Sequence, residues 1–227
     1  MSKIIGIMGA GRMGQALAVR LSGKAEILVN DVEQEKAREL AKEVGGRAAE
    51  LEELSAARMV ILALPTSIMA KATANLKAFI RPGTLLINIA TSCPKEVIID
   101  VLGTKEQVVS VKFVGHAKEI LAGENPTIVI DAPNEALASE VAELFGSMGK
   151  VVFGSEEIVA KLNVLGATEG IRAALRIKNE MEKLGLPQEL YPAAVRGVAA
   201  GTMKAYASGD MGPFVQELVK QISAEMS

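Results

Sequence analysis

Lys3-Ile4-Ile5-Gly6-Ile7-Met8 runs directly into Gly9-Ala10-Gly11-Arg12-Met13-Gly14, and then into a helical pattern over residues 15–21. A buried strand, a GxGxxG turn and a helix, in that order, form the opening of a dinucleotide-binding unit. A lone GxGxxG is weak evidence, because glycine-rich turns are common; this one stands between the two elements that the site requires. Gly9 permits the tight turn, Gly11 lets a pyrophosphate approach the backbone, and Gly14 lets the helix pack closely on the strand. The first N–H groups of that helix have no acceptor within it and would face the phosphates, with Ala10, Arg12 and Met13 completing the turn.

Beyond the turn, short aliphatic runs alternate with longer helical patterns as far as residue 153, which reads as a parallel α/β sheet. Strands are expected at residues 4–8, 26–30, 47–49, 59–64, 84–89, 108–113, 127–130 and 151–153. The continuous apolar run over residues 59–64 predicts a strand buried on both faces. Helices are expected over about 33–44, 67–79, 94–102 and 135–148, with Pro94 in a first turn. From Ser155 onward no strand-like run occurs, and helical periodicity covers about 156–184, 188–208 and 213–224. The predicted fold class is therefore α/β. A Rossmann-type, doubly wound, mainly parallel sheet (residues 1–154) precedes a small all-α domain (residues 155–227). Three helices packed only on themselves make a meagre core, so a homodimer through these C-terminal helices is expected.

The bulk numbers bound the partners. Of 227 residues, 49% are hydrophobic and 23% charged, enough apolar material for a buried core. A net charge of −2 supplies no basic field for nucleic acid or acidic membranes, and 3% aromatic residues offer few stacking platforms for bases. Cys93 is the single cysteine, which excludes an intrachain disulfide and a cysteine-rich metal site. No metal site is expected. The apolar run 4–8 is too short for a secretory leader core, and 59–64 stops at Pro65, too short to span a bilayer. A cytoplasmic protein acting on a small molecule is the simplest expectation.

Asn30 and Asp31 end the second strand, and Asp31 stands 17 residues beyond Gly14. An acidic side chain there accepts the ribose hydroxyls of an adenosine moiety and repels a 2′-phosphate. The alternative is that Asp31 only caps the helix that follows. The expected cofactor is NAD or NADP, with NAD favoured. Leu64-Pro65-Thr66 and Ala90-Thr91-Ser92 end the fourth and fifth strands and should edge the nicotinamide pocket, since ligands bind outside the carboxyl ends of such strands. Thr91 or Ser92 would offer a hydroxyl to the carboxamide or substrate, or else cap the next helix.

Residues 5–17, Ile-Gly-Ile-Met-Gly-Ala-Gly-Arg-Met-Gly-Gln-Ala-Leu, resemble the opening of pyrroline-5-carboxylate reductases. Leu184-Gly185-Leu186-Pro187-Gln188-Glu189, Gly201-Thr202-Met203-Lys204 and Ala207-Ser208-Gly209 resemble the helical dimerisation domain of the same family, within the wider 6-phosphogluconate-dehydrogenase-like group. The resemblance implies a dinucleotide cofactor, helical dimerisation and reduction of a small C=N or C=O substrate. This chain departs from the family at Leu64-Pro65-Thr66 and at Leu165-Gly166-Ala167-Thr168-Glu169-Gly170. A second stretch, Lys112-Phe113-Val114-Gly115-His116, resembles the segment of prephenate and arogenate dehydrogenases that carries their catalytic histidine.

His116 is the single histidine and follows a strand near the carboxyl edge of the sheet. An imidazole gains and loses a proton near neutrality, which suits it to pass a proton when a C–O or C=N bond changes oxidation state. Satisfying loop backbone groups is its alternative role, and Lys118 offers a charge for a substrate carboxylate. Lys161 lies where related hydroxyacid dehydrogenases place a catalytic lysine. Its neighbour Asn163 is two residues on, so the two side chains diverge by about 200° around a helix. Glu169 stands where the reductases use small residues and would bind an iminium or ammonium group; a plain helix-surface glutamate is its alternative. Cys93 has no basic neighbour but Lys95 and is not expected to act as a nucleophile. The expected activity is thus an NAD(P)-dependent reductase or dehydrogenase. Two alternatives remain: a prephenate-dehydrogenase-like oxidation, and a dinucleotide-binding regulatory protein without catalysis.

Overall fold

A computed structural model describes residues 3–225 of the chain. Its first unit alternates β1 (Ile4–Met8), α1 (Arg12–Leu21), β2 (Glu26–Asn30), α2 (Gln34–Val44) and β3 (Arg47–Ala48). A 3-10 segment, Leu51–Ala56, leads to β4 (Met59–Leu62), α3 (Thr66–Lys77), β5 (Leu85–Asn88) and α4 (Glu96–Leu102). Then come β6 (Val108–Val114), α5 (Ala117–Leu121), β7 (Thr127–Asp131), α6 (Glu135–Phe145) and β8 (Lys150–Phe153). Among the described residues these strands form one sheet in the order β3-β2-β1-β4-β5-β6-β7-β8. The order reverses at β1: the chain winds outward through β2 and β3, then returns to β1's other edge with β4. That reversal opens a crevice outside the carboxyl ends of β1 and β4, where open α/β sheets bind ligands.

Two apolar layers sandwich the sheet. Ile5, Ile7, Val29, Ile61 and Val111 face α1, α2, α5 and α6, packing on Leu17, Leu21, Leu40, Ile120 and Phe145. Leu28, Val60, Leu62 and Leu86 face the other way, onto Leu54, Met69, Leu76 and Ile98. All four residues of β4 are buried, as its unbroken apolar run predicts, each such side chain contributing roughly 1.5–3 kcal/mol.

The mainly parallel, doubly wound sheet agrees with the sequence expectation, with one exception to a fully parallel reading. Strand β7 runs antiparallel to β6, with Ser110 opposite Asp131 and Val114 opposite Thr127. A parallel partner needs a crossover of a dozen or more residues that carries a helix across the sheet. The only helix between β6 and β7 is the five-residue α5, about 7.5 Å long and too short to carry the chain back along the seven-residue β6, so the chain turns back at the same end. Other differences are local. Helix α1 starts at Arg12, before the expected Gln15. The Leu51–Ala56 segment and α5 were not expected, being too short to show a period. Pro94 precedes α4 instead of standing in its first turn.

The chain divides into two compact units, Met1–Asn163 and Val164–Ser227. The division falls within α7 (Glu157–Lys183), the long helix expected over 156–184. The next expected helix, 188–208, is interrupted. It comprises a 3-10 turn, Gln188–Leu190, α8 (Tyr191–Ala193), a π-helical segment, Ala194–Ala199, and α9 (Ala200–Ser208). Pro192 in α8 lacks an N–H, which is tolerated only at such a helix start. The last helix is α10 (Pro213–Glu225). Within the second unit Leu186 N donates to Met181 O at 2.9 Å, and the Tyr191 hydroxyl to Ala174 O at 3.3 Å. No helix among the described residues is long and apolar enough to cross a membrane.

Candidate functional site

The glycine turn has a geometry that each of its residues explains. Gly9 adopts φ +107°, a left-handed conformation, and a Cβ there would lie 2.5 Å from Ala63 O. A Cβ on Gly14 would lie 1.9 Å from Gly9 O, so α1 can sit this close to β1 only without a side chain. Nothing lies within 4 Å of a Cβ on Gly11, which leaves its backbone open. Gly9 N donates to Asn30 O at 2.7 Å and Ala10 N to Asp31 Oδ2 at 2.7 Å. The N–H groups at the start of α1 have no acceptor within the helix, the arrangement that allows a helix N-terminus to bind an anion.

Asp31 does two jobs at once. Besides Ala10 N, its Oδ1 accepts from Glu33 N at 2.8 Å, the local turn that leads into α2. Each carboxylate oxygen keeps a further lone pair. Gly9, Ala10, Gly11, Asn30, Asp31, Leu64 and Pro65 line a single cleft of about 360 Å³, joined by Lys36. Lys36 pairs with Glu33 at 2.5 Å, and that hydrogen bond holds its ammonium pKa above the usual lysine value.

Two further hollows continue along the carboxyl edge. Arg12, Met13, Pro65 and His116 line one, and His116 is exposed at the start of α5. Met13, Leu64, Ala90, Thr91, Phe113 and Gly115 line the other, of about 240 Å³. Thr66 is exposed as the first residue of α3. Lys161 is exposed and stands 3.7 Å from Glu157, one turn earlier on α7. Its neighbour Asn163 points elsewhere and donates to Phe113 O at 3.1 Å. Glu169, in the second unit, is exposed and pairs with Arg172 at 2.5 Å. Among the described residues no group of three or more His, Cys, Asp or Glu could hold a metal ion.

The sequence reading missed a buried ionic network beneath loop 89–95. Lys112, in β6, is 1% exposed and pairs with Glu156 Oε2 at 3.2 Å. Its Nζ donates to Ala90 O at 2.5 Å and to Cys93 O at 3.0 Å. Ser110, also in β6, donates to the same Glu156 oxygen, while Lys95 N donates to Glu156 Oε1 at 2.8 Å. Outside the pair, Lys95 Nζ meets Asp131 Oδ1, and Glu156 N donates to Asp131 Oδ2 at 3.1 Å. Burial pushes the Lys112 ammonium below the usual lysine range, with Glu156 opposing. Burial likewise pushes the Cys93 thiol up, which leaves it a poor nucleophile. The signal was present as Ser110 and Lys112, two polar residues at strand spacing within an apolar run.

The sequence and the fold have counterparts among known proteins. Residues 4–92 match the family model described as "NADP oxidoreductase coenzyme F420-dependent". A glycerol-3-phosphate dehydrogenase [NAD(P)+] of Geobacter sulfurreducens is 27% identical over 259 aligned positions, 93% of this chain and 76% of that protein. The fold is similar to that of pyrroline-5-carboxylate reductase from Coxiella burnetii, with a TM-score of 0.77 at 17% identity over 98% of this chain and 85% of the other. It is also similar to prephenate dehydrogenase from A. aeolicus in complex with hydroxyphenyl propionate and NAD+, with a TM-score of 0.64 at 14% identity over 99% and 84%. These likenesses agree with the expectation of a nicotinamide-dependent oxidoreductase that resembles pyrroline-5-carboxylate reductase. The likeness to a glycerol-3-phosphate dehydrogenase was not anticipated from the sequence.

Proposed function

We propose that this chain is an NAD(P)-dependent reductase or dehydrogenase that moves a hydride between nicotinamide and a small C=N or C=O substrate, with NAD the preferred cofactor. The glycine turn carries the proposal. Gly9 and Gly14 leave no room for side chains, Gly11 faces open space, and the turn lies at the reversal of strand order. The dinucleotide, when bound, supplies or accepts the hydride. The backbone from Gly11 through Met13 would hold the pyrophosphate, and Asp31 the adenosine ribose. Leu64, Ala90 and Thr91 would border the nicotinamide, with the Thr91 hydroxyl available to its carboxamide. Asp31 keeps acceptor capacity for ribose hydroxyls, and its charge disfavours a 2′-phosphate. NAD+ should therefore bind about tenfold or more tighter than NADP+, and Asp31→Ser should narrow that ratio. Calorimetric titration with both cofactors checks this; tighter NADP+ binding by the unmodified chain would contradict it.

His116 is the proposed proton donor for reduction, since it lines the hollow beside Arg12 and Met13. His116→Asn should lower kcat by about 100-fold while leaving the NADH dissociation constant unchanged. An unchanged kcat would remove His116 from the chemistry. Lys161 and Glu169 remain proposed substrate-binding or proton-relay groups, to be read in the same assay with alanine variants. The same placement of His116 favours one second reading, a prephenate-dehydrogenase-like oxidation in which the imidazole receives a hydrogen bond from the substrate hydroxyl.

The helical domain, proposed to run over residues 155–227, would pair two copies of the chain. Val164, Leu165, Ile171, Leu175, Val198 and Phe214 are exposed apolar residues on its helices, more than a solvated surface usually carries. Sedimentation analysis should therefore give a dimer at micromolar concentration, and a monomer would count against this role. A cytoplasmic location fits such a protein.

A further inference from the structure

Loop 89–95 is held from below by side chains to an unusual degree. Asn88 Oδ1 accepts from Ala90 N at 3.1 Å, and Asn88 Nδ2 donates to Cys93 O at 2.8 Å. Lys112 supplies the hydrogen bonds to Ala90 O and Cys93 O, and Glu156 accepts from Lys95 N. Three buried side chains, from β5, from β6 and from the residue before α7, thus fix four backbone groups of one loop. Ala90 and Thr91 on the upper side of that loop line the hollow with Met13, Leu64 and Phe113.

A lysine in the middle of a buried strand is an expensive choice for packing alone, because an apolar pair of similar volume serves a core as well or better. Lys112 does what no apolar residue could do there: it adds a charged donor to two carbonyls that the loop turns inward, Ala90 O, which also accepts from Cys93 N at 3.2 Å, and Cys93 O, which also accepts from Asn88. Its own charge is balanced by Glu156, whose second oxygen reaches back to the loop at Lys95 N. Ser110 fixes the carboxylate from the strand side.

We infer that Lys112 and Glu156 form a positioning pair that presets loop 89–95 as the wall of the nicotinamide end of the cofactor cleft, without touching cofactor or substrate. The inference rests on the proposed cofactor reading, and it assigns the pair to one end of the cleft only. The glycine turn and Asp31, which serve the other end, share no hydrogen bond with it.

Two titrations separate the ends. NADH carries the nicotinamide, whereas ADP-ribose has the adenosine and both phosphates but lacks the ring. In the double variant Lys112→Met/Glu156→Gln, neither partner leaves an unpaired buried charge, and the amide oxygen introduced by Glu156→Gln can still accept from Lys95 N. The loop then loses the Lys112 hydrogen bonds to Ala90 O and Cys93 O and keeps only the weaker neutral ones from Cys93 N and Asn88. NADH affinity should fall about tenfold, with the loss of the emission change that accompanies ring immobilisation, while ADP-ribose affinity stays within about twofold. Equal weakening of both ligands, or no weakening of either, would overturn the inference. An unmodified chain that binds neither ligand overturns the cofactor reading and the positioning role with it.

Hydrogen exchange on the unmodified chain tests whether the loop is preset, with Lys95 N, the amide that Glu156 holds, reporting on the pair. The amides of Ala90, Cys93 and Lys95 should be protected before cofactor is added, and NADH should add little protection. Free exchange of these amides in the unliganded protein would overturn the preset loop.

Discussion

Gly14→Ala is expected to lower the melting temperature by roughly 6–12 °C, from about 3 kcal/mol of overpacking in a chain of this size. The added methyl would meet the backbone oxygen of Gly9 at 1.9 Å, a clash relieved only by separating α1 from β1. Helix α1 buries Ala16, Leu17, Ala18 and Leu21 against the sheet, so that separation also loosens the core. NADH binding should be lost with it. Gly11→Ala makes the complementary case. Its methyl would meet nothing within 4 Å, so thermal stability should change little, yet it would project into the opening assigned to the pyrophosphate. NADH affinity should fall about 100-fold, a loss of about 2.7 kcal/mol, without a matching loss of fold. Differential scanning fluorimetry and NADH titration on the two variants read both effects.

Lys112→Met is expected to destabilise the protein by about 3–5 kcal/mol, because it leaves the Glu156 carboxylate buried without its cation. At 8% side-chain exposure Glu156 has little access to water. Adding Glu156→Gln should restore most of the loss, since the neutral pair leaves no charge uncompensated. Urea unfolding of the single and double variants measures the difference; a single variant as stable as the parent would contradict the account. The pair also predicts a pH signature. Burial keeps the Lys112 pKa below its ordinary value of about 10.4, so between the two values the unfolded chain binds the extra proton and the folded chain does not. Stability contributed by this group therefore rises with pH through that window, and the rise should be missing from the double variant.

The cofactor half of the candidate site was legible because its signals are local. The strand at Ile4–Met8 and the glycines after it are contiguous, and the residues proposed for the cofactor at Asn30, Asp31, Leu64 and Ala90 stand at or within two residues of the ends of strands whose apolar runs are plain in the sequence. Element order then places those ends along one edge. The Lys112–Glu156 pair was not legible as a pair. Its members are 44 residues apart, and only the folding of α7's start against β6 brings them together. The reversal of β7 was equally hidden, because an apolar strand of five residues carries no mark of its direction. The interruption of the helix expected over 188–208 was foreshadowed by Pro192, but the π-helical segment after it was not. Alanine- and valine-rich stretches such as Ala194–Ala199 fit either helical period.

Transfer of hydride from 4-deuterated NADH tests the central claim most directly. The chain is incubated with the deuterated cofactor and a panel of imino and keto acids, and in the reverse direction with NAD+ and either C-deuterated hydroxy acids or the alcohol phosphate glycerol 3-phosphate deuterated at C2. Mass spectrometry then locates the label. The account predicts deuterium on the reduced carbon of one substrate class, or on the nicotinamide in the reverse direction, with transfer abolished by Gly11→Ala. Tight binding of NADH with no transfer to or from any member of the panel would contradict it and leave a dinucleotide-binding regulatory protein in its place.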